Sequence, residues 1–428
     1  MTDTPEPRIV TLDIVRGVAV MGILAMNIVA FAMPPAAYIN PLAYGTESAA
    51  DLASWTFSFI FIDGKMRGLF SCLFGASLLL VAQLADAKGE SARTVTFRRL
   101  LWLLLFGYLH FTLVWYGDIL IGFALIGMLA WHFREGSPRA LVMWAIGLVL
   151  AELAVLGATA AYAASLAAVA GGPNPSPGAL AAWAEMAGKV AIPDAARLGQ
   201  ELALYRGSWS GLVGHQLTEL TMPLIFTAVF GWETLAYMLI GMAALKSGFL
   251  TGAWPDASYR KAAAIGFGIA VPAYGILAAL IFAAEFGEVA LYAYSFAATV
   301  PFRPLMIIGY AALIILATRR GGWLVARIAA AGRAAFTNYL GTSLIMTGLF
   351  YGWGLGWFGT LGRAQLWLVV VAMWLVMLAW SKPWLDRFRF GPFEWLWRSL
   401  ARWQVQPMSS PPTSARLERE STARQREG

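Results

Sequence analysis

"RGVAVMGILAMNIVAF", residues 16–31, is an apolar run of the kind that crosses a lipid bilayer as a helix. It contains two polar residues, Arg16 at its start and Asn27 eleven residues later. Eleven residues make about three helical turns, so both side chains project from one face. An ionisable side chain at the centre of a span costs about 2.5–3.5 kcal/mol on insertion scales, and less near the edge. The alignment predicts a polar seam that faces other helices.

Each residue of this pair has a simpler explanation when taken alone. Arg16 can snorkel to the lipid headgroups, with Asp13 one turn earlier as its partner. A single intramembrane asparagine such as Asn27 often serves only as a hydrogen-bonded contact between helices. The shared face favours the seam and leaves both explanations open.

The composition places the chain among membrane proteins. Of its 428 residues, 59% are hydrophobic and 13% are charged, whereas a soluble chain carries about 25% charged residues. The apolar runs are long and continuous, unlike the alternating pattern of a membrane barrel. We therefore expect an all-α, polytopic integral membrane protein.

The net charge of +7 comes from short basic blocks between apolar runs, which is typical of cytoplasmic loops. This distribution argues against nucleic acid as a partner and makes the lipid bilayer the expected surroundings. Cys72 is the single cysteine, so no intrachain disulfide can form.

Apolar segments long enough to cross a bilayer occur about ten times. Their expected bounds are 14–33, 54–84, 98–115, 119–134, 138–170, 219–246, 260–285, 302–318, 334–356 and 364–381. The second is too long for one straight span and contains "DGKMRG" (63–68), so we predict a break near Gly64. The third and fourth meet at "WYGD" (115–118), which predicts a tight hairpin.

Basic and non-basic connecting segments alternate along the chain. Those near 87–99, 132–139, 246–261 and 319–333 are basic, and those at 34–53 and 286–289 are not. With ten spans, this pattern places both termini in the cytoplasm.

The predicted spans and connections divide the chain into four parts. An N-terminal helix bundle covers 1–170, an external connection 171–218, a C-terminal membrane domain 219–406, and a disordered cytoplasmic tail 407–428. The connection is expected to lie on the outer surface, and the Trp- and Arg-rich stretch 388–403 to form a helix at the inner interface.

His110 is the best candidate for a general base. It lies about five residues below the outer end of its span, a depth close to that of Asn27, and Asp118 follows in the hairpin. A carboxylate beside a histidine fixes its tautomer and stabilises the imidazolium. A structural histidine bonded to a backbone carbonyl is the alternative. His132 falls in a cytoplasmic loop, while His215, four residues before Glu219, is the rival base at the outer mouth.

Charged residues also occur inside later spans. Lys65 and Arg67 flank the predicted break and suit the binding of a phosphate or carboxylate group. Glu233, about fourteen residues into its span, either belongs to that site or neutralises one of the two cations. Arg333 and Asn338 lie near the inner end of a late span, where they either line a cytoplasmic pocket or serve as packing contacts.

Several common sites have no signature in this sequence. We find no metal-ligand spacing, no phosphate-binding loop of the Walker type and no G-x-S-x-G nucleophile elbow. We therefore expect neither a bound metal nor a permanently bound cofactor.

Five blocks in order resemble the YeiB-like bacterial membrane proteins, whose C-terminal half is classed as a domain of unknown function. The blocks are "LDIVRGVAVMGILAMNIVAFAMP" (12–34), "DGKMRGLFSCLFG" (63–75), "LHFTLVWYGDILIGFALIG" (109–127), "GRAAFTNYLGTSLIMTGLFYGWGLG" (332–356) and "GPFEWLWR" (391–398). The resemblance covers nearly the whole chain. It implies a multi-pass protein of the bacterial cytoplasmic (inner) membrane.

The first helix is also distantly similar to two kinds of transmembrane acyltransferase. In the O-acyltransferases of bacterial surface polysaccharides, an arginine that matches Arg16 precedes a catalytic histidine whose position matches Asn27. In the lysosomal heparan-glucosaminide acetyltransferase, an asparagine occupies that place and the active histidine follows on the outer loop. Here that loop contains no histidine, so either His110 takes the role of the base or the chain is not an acyltransferase.

We therefore expect a transmembrane acyltransferase that uses acyl-CoA as co-substrate and acts on a small-molecule or glycan acceptor. His110, Asn27 and Asp118 would be its catalytic groups, and Arg16 would bind the donor. The main alternative is a transporter or binding protein for an anionic substrate, with Lys65, Arg67 and Glu233 along its path. A non-catalytic scaffold for envelope enzymes is a third possibility. The sequence does not indicate an oligomeric state.

Overall fold

The computed structural model describes residues 9–409, and this part of the chain is helical and contains no β-strand. The α-helices are α1 Val10–Ala32, α2 Ala36–Ile39, α3 Ala49–Phe61, α4 Lys65–Ala87, α5 Ala92–Leu113, α6 Leu120–Ala130, α7 Pro138–Ala170, α8 Pro177–Ala187, α9 Ala195–Tyr205, α10 Trp209–Thr218, α11 Met222–Lys246, α12 Asp256–Ala283, α13 Glu288–Ala290, α14 Arg303–Thr318, α15 Trp323–Arg333, α16 Ala335–Phe350, α17 Arg363–Arg387 and α18 Pro392–Arg402. A π-helix, Leu291–Ala297, follows α13.

The chain is a multi-pass membrane protein by the length and composition of its helices. Within residues 9–409, six segments are long and apolar enough to cross a bilayer: Val10–Ala32, Ala49–Ala87, Pro138–Ala170, Met222–Lys246, Asp256–Ala283 and Arg363–Arg387. The other four predicted spans do not meet these criteria of length and composition. α6 has 11 residues, α14 and α16 have 16 each, and α5 begins with an arginine-rich turn.

The predicted break near Gly64 is confirmed. α3 ends at Phe61, and α4 begins at Lys65. Between them Gly64 has a φ of +73°, in the left-handed region that favours glycine. A Cβ at this position would lie 3.2 Å from the Arg303 side chain. The break therefore brings the α4 start, with its cations, close to the start of α14.

The α1 helix lies at the centre of the bundle and packs against α4, α15, α16 and α17. It is buried along nearly its whole length. Gly17 permits a close approach of α15, because a Cβ there would lie 2.1 Å from the carbonyl oxygen of Ile328. A helix surrounded by other helices can keep polar side chains away from lipid, as the predicted seam requires.

The connecting segments collect at two ends of the bundle. At one end, Lys246 Nζ donates to the carbonyl oxygens of Arg134 (2.6 Å) and Gly136 (2.7 Å), and Arg319 donates to that of Trp254 (2.7 Å). At the other end, Asn40 Nδ2 donates to the carbonyl oxygen of Val190 at 3.3 Å. The basic connections therefore share one end, which we call the basic end.

The segment 171–218 does not lie only on the surface, as the sequence suggested. It forms α8, α9 and α10, and the last two pack onto the bundle. The buried Tyr205 ring stacks on Phe358 at 4.6 Å, and Trp209 Nε1 donates to the carbonyl oxygen of Leu113 at 2.8 Å. Apolar side chains on α9 and α10 explain this packing, because they bury against aromatic residues at the helix ends.

Both halves of the chain contribute to shared cores. α11 packs against α4 and α7, and α1 packs against α15. At the C-terminal end, the predicted interface helix is present as α18. The predicted disordered tail 407–428 begins with backbone contacts, since Arg389 N donates to Met408 O at 2.9 Å. Residues 410–428 lie outside the described part of the chain.

Candidate functional site

His110 and Asp118 form a buried pair at the turn between α5 and α6. The distance from His110 Nδ1 to Asp118 Oδ2 is 2.8 Å, and the two side chains are 3% and 0% exposed. Asp118 Oδ1 accepts a hydrogen bond from the backbone N–H of Ile121 at 2.9 Å. One carboxylate oxygen thus fixes the start of α6, and the other orients the imidazole.

The second ring nitrogen of His110, Nε2, has different surroundings from Nδ1. Nε2 is buried and has no hydrogen-bond partner among the described residues. If Nδ1 carries the proton and donates it to Asp118, Nε2 presents a lone pair to whatever lies beside it. A histidine oriented in this way by a carboxylate is the arrangement of a general base.

Aromatic side chains connect this pair to α1 and α16. The ring centroids of His110 and Tyr339 are 5.3 Å apart, and Trp115, next to His110, stacks on Phe31 at 3.9 Å. Asn27 is 6% exposed and lies one turn before Phe31, on the same side of α1. Ring contacts therefore link His110 to Phe31 through Trp115, and Asn27 lies one turn from Phe31 along α1.

Helices α9 and α10 cover the turn that carries Asp118. The ring of Tyr116, inside this turn, lies 6.0 Å from that of Tyr205 on α9, and its hydroxyl donates to the carbonyl oxygen of Ala30 at 3.2 Å. Burial raises the pKa of the Tyr205 hydroxyl, so this group stays uncharged. The pair is therefore shielded from solvent at the end of the bundle opposite the basic end.

The rival histidines lie in other surroundings. His215 is exposed on α10, whose last residue, Thr218, directly precedes Glu219. His132 is exposed beside the basic end. Of the three histidines, His110 is the one that is both buried and paired with a carboxylate.

Arg16 lies at the other end of the predicted seam. Its guanidinium donates to Ser77 Oγ on α4 at 2.8 Å and to Asp13 Oδ1 at 3.4 Å. The side chain is 24% exposed, so it combines a fixed position with access to solvent. Eleven residues separate it from Asn27, which is about 16 Å along the helix axis.

Arg333 and Asn338 take different roles. Arg333 Nη2 donates to the carbonyl oxygen of Arg389 at 3.2 Å. The Asn338 amide donates to Ala331 O (3.0 Å) and Ser381 Oγ (3.2 Å) and accepts from Trp380 Nε1 (2.9 Å). With both ends of its amide engaged, Asn338 is a hydrogen-bonded contact between α16 and α17, which favours the packing interpretation.

A second polar group of residues lies in the interior around Glu233. One carboxylate oxygen pairs with Arg67, and the other accepts from Arg303 Nη1 at 2.7 Å and from the Tyr237 hydroxyl at 3.1 Å. We call Arg67, Glu233 and Arg303 the Glu233 cluster. Glu233 neutralises both arginines, and Arg303 is an interior ion-pair partner, not only an anchor at a helix start.

Lys65, which the sequence predicts as a ligand for an anionic group, is engaged by contacts within the protein. It is fully buried, and its Nζ donates to the carbonyl oxygen of Phe59 at 2.5 Å. The ammonium also lies 3.4 Å from the centre of the Tyr274 ring. The carbonyl of Phe59 is one of the last in α3, where a cation is favourable because helix carbonyls end unpaired.

The sequence reasoning missed Glu152. It is fully buried in α7, and neither carboxylate oxygen has a hydrogen-bond partner among the described residues. α7 and α11 share the basic end, and Glu152 and Glu233 lie at similar distances from it, about 20 Å along each axis. The sequence did carry a signal, because Glu152 is the single acid in the apolar run 138–170.

The described residues offer no site for a metal ion. Between residues 9 and 409, no group of three or more His, Cys, Asp or Glu side chains is arranged to hold one.

Comparisons with known proteins give a consistent family. Residues 244–404 match a family model described as a protein of unknown function (DUF418). The chain is 35% identical to the uncharacterised protein YeiB of Escherichia coli (strain K12), over 92% of this chain and 96% of that protein. It is 30% identical to the uncharacterised protein YxaH of Bacillus subtilis (strain 168), over 94% of this chain and 96% of that protein. No solved structure matches the chain significantly.

Proposed function

The chain belongs to the YeiB-like family of bacterial membrane proteins, and we propose, from its buried His110–Asp118 pair, that it is a transmembrane acyltransferase. It would move an acyl group from cytoplasmic acyl-CoA to an acceptor reached from the opposite side. The observation that carries the proposal is the 2.8 Å contact between His110 Nδ1 and Asp118 Oδ2, with Nε2 left without a partner.

The transfer step follows from these positions. His110 Nε2 takes the proton from the acceptor hydroxyl or amine, and the acceptor atom attacks the thioester carbonyl carbon. The carbonyl oxygen becomes an oxyanion, to which the Asn27 amide donates a hydrogen bond. When the carbon–sulfur bond breaks, the imidazolium returns its proton to the departing CoA thiolate. Asp118 holds the imidazole in place throughout.

The donor and acceptor would enter from opposite ends. Acyl-CoA, bound only during turnover, places its phosphates near Arg16, which is fixed by Ser77 and still reaches solvent. Arg333 adds positive charge at the same end. The acceptor, a small molecule or a glycan, arrives from the end that α9 and α10 cover. The seam between Arg16 and Asn27 supports this arrangement because it runs inside the bundle.

This proposal also fixes the placement in the membrane. Ten segments cross the bacterial inner membrane, with α6, α14 and α16 as the short ones. The basic end faces the cytoplasm, as the excess of lysine and arginine in short loops predicts. Both termini are then cytoplasmic, and 171–218 is external. The collection of all basic connections at one end supports this orientation.

Transport or binding of an anionic substrate is the second candidate. It rests on the Glu233 cluster and on Lys65, which lie together in the interior beside the helix break. We place it second because each of these cations already has a partner in the protein: Glu233 for both arginines and Phe59 O for Lys65. An anion would have to compete with these contacts.

The test uses purified full-length protein. Mass spectrometry first asks whether an acyl-CoA co-purifies, and acyl-CoA hydrolysis then serves as the rate assay while the acceptor is unidentified. His110→Ala should lower the rate about 10²–10⁴-fold, as expected for loss of a general base. Asn27→Ala should lower it about 10²–10³-fold through the lost oxyanion donor. Acyl-CoA affinity should stay unchanged in both.

The matched control is His215→Ala, which removes an exposed histidine and should keep the parent rate. Full activity in a folded His110→Ala protein, together with a loss in His215→Ala, would move the base to the outer surface and overturn the proposal. Absence of any acyl-CoA binding or turnover in the parent protein would leave transport as the stronger candidate.

A further inference from the structure

A cleft of about 470 Å³ opens between α15 and α17 at the basic end of the bundle. It is lined by Trp323, Ala326, Arg327, Lys382, Pro383, Asp386 and Arg387. Three of these side chains are cations and one is an acid, so the cleft carries a net positive charge.

The cations of the cleft are only partly engaged. Arg327 donates to the carbonyl oxygen of Leu378 at 2.8 Å, which joins α15 to α17 near Pro383. Lys382 pairs with Asp386 at 2.5 Å, and both side chains are about half exposed. Arg387 is exposed and forms no ion pair within residues 9–409. An incoming anion would therefore meet Lys382 and Arg387 without having to break a buried contact.

An apolar stripe on α17 leads into the cleft. Leu368, Val371 and Leu375 are 74%, 46% and 63% exposed, so residues 9–409 leave this face largely uncovered. Their spacing of three, four and seven residues places them on one side of the helix, and Lys382, seven residues after Leu375, continues that side. The fourteen residues from Leu368 to Lys382 rise about 21 Å, more than half of a hydrocarbon core of about 30 Å.

We propose that this cleft binds the phosphate headgroup of an anionic phospholipid whose acyl chains lie along the α17 stripe. A basic pocket between membrane helices suits such a headgroup, and the 71% exposed Trp323 at its rim suits the lipid–water interface. A free phosphate would use the cations but not the stripe, so the combination of the two favours a lipid. The inference needs only that this end of the bundle lies at the membrane surface, and it does not depend on acyl transfer.

The experiment measures lipid affinity by thermal shift of the full-length protein in neutral detergent, titrated with phosphatidylglycerol, with phosphatidylcholine or with inorganic phosphate. Phosphatidylglycerol should raise the unfolding temperature, and the other two should not. The double variant Lys382→Ala/Arg387→Ala should bind phosphatidylglycerol about 25-fold more weakly, at about fivefold for each basic side chain near an anionic headgroup.

Two further variants make the result specific. Arg260→Ala/Lys261→Ala removes the same charge from an exposed site on α12 near the same end, and should change the affinity less than about twofold. Lys382→Arg/Arg387→Lys keeps the charge and should keep the affinity. The proposal is overturned if both alanine pairs weaken binding equally, if phosphatidylcholine shifts the unfolding temperature as much, or if inorganic phosphate alone reproduces the shift.

Discussion

The imidazole Nδ1 of His110 lies 2.8 Å from Oδ2 of Asp118, across the turn that joins α5 to α6. Both side chains are buried, and the other oxygen of the carboxylate is held by the N–H of Ile121. The pair is therefore rigid on both sides, which is what a base needs if it is to hold one tautomer through a reaction.

Asp118→Asn tests whether this carboxylate positions the base. The amide keeps the size of the side chain but no longer stabilises an imidazolium, so the rate of acyl-CoA turnover should fall about 10²–10⁴-fold. The loss should fall on kcat, with acyl-CoA affinity unchanged. Asp86→Asn, at an exposed site at the end of α4, is the control and should leave kcat unchanged. A parent-like kcat in Asp118→Asn would reduce the pair to a packing role.

Arg16→Ala tests the donor site. A direct charge-assisted contact to a phosphate is worth about 1.5–3 kcal/mol, or about 10- to 150-fold in affinity. Calorimetry with CoA on the folded variant should show a loss in this range. Arg139→Ala removes an exposed arginine at the same end and should change affinity little. If Arg16→Ala binds CoA as tightly as the parent, Arg16 is a snorkelling residue held by Asp13 and Ser77.

The two buried glutamates should respond to the same substitution with very different losses of stability. Glu233→Gln leaves Arg67 and Arg303 without their shared counter-charge, which should cost about 3–5 kcal/mol in the free energy of unfolding. Glu152→Gln removes a buried ionisable group, and neither oxygen of Glu152 has a hydrogen-bond partner within residues 9–409 that the substitution could break. Its effect should stay within about 1 kcal/mol.

Thermal unfolding of the purified variants measures this difference. Equal destabilisation by the two substitutions would mean that the Glu152 carboxylate makes an interaction of comparable strength, which would contradict this prediction.

The orientation can be tested with two glutamates that are each 81% exposed, Glu135 beside α7 and Glu185 on α8. After Cys72→Ala, each is changed to cysteine in turn. A membrane-impermeant maleimide on intact cells should label position 185 at once and position 135 only after the membrane is opened. External labelling at position 135 would reverse the topology and with it the proposed direction of acyl transfer.

Much of the fold could be read from the sequence because membrane helices follow simple physical rules. α7 has the predicted bounds 138–170, and the break before Lys65 falls where glycine and charged residues interrupt an apolar run. The all-helical class of the protein follows from the cost of leaving backbone groups unpaired in lipid. The bounds and burial of the short helices α14 and α16 were harder to predict. Neighbouring helices, and not length alone, decide whether a helix of 16 residues is buried.

The candidate site could be predicted only in part. Asp118 was found because it lies eight residues from His110 across a short hairpin, so local geometry brings the two together. Arg303 and Glu233 are 70 residues apart, and no local pattern could pair them. The sequence shows Glu152 as a lone acid in an apolar helix, but it does not show which residues of other helices lie near it.

By itself, the sequence determined that this chain is a helical membrane protein, where its basic connections lie, and that His110 would have a carboxylate within reach. These properties depend on composition and on neighbours along the chain. Only the tertiary structure decided that Lys65 and Asn338 are engaged by backbone and side-chain partners, that Glu233 neutralises two arginines, and that α9 and α10 cover the His110 turn. Buried polar groups must find partners wherever the packed helices bring them, and that packing is set by contacts between residues far apart in sequence.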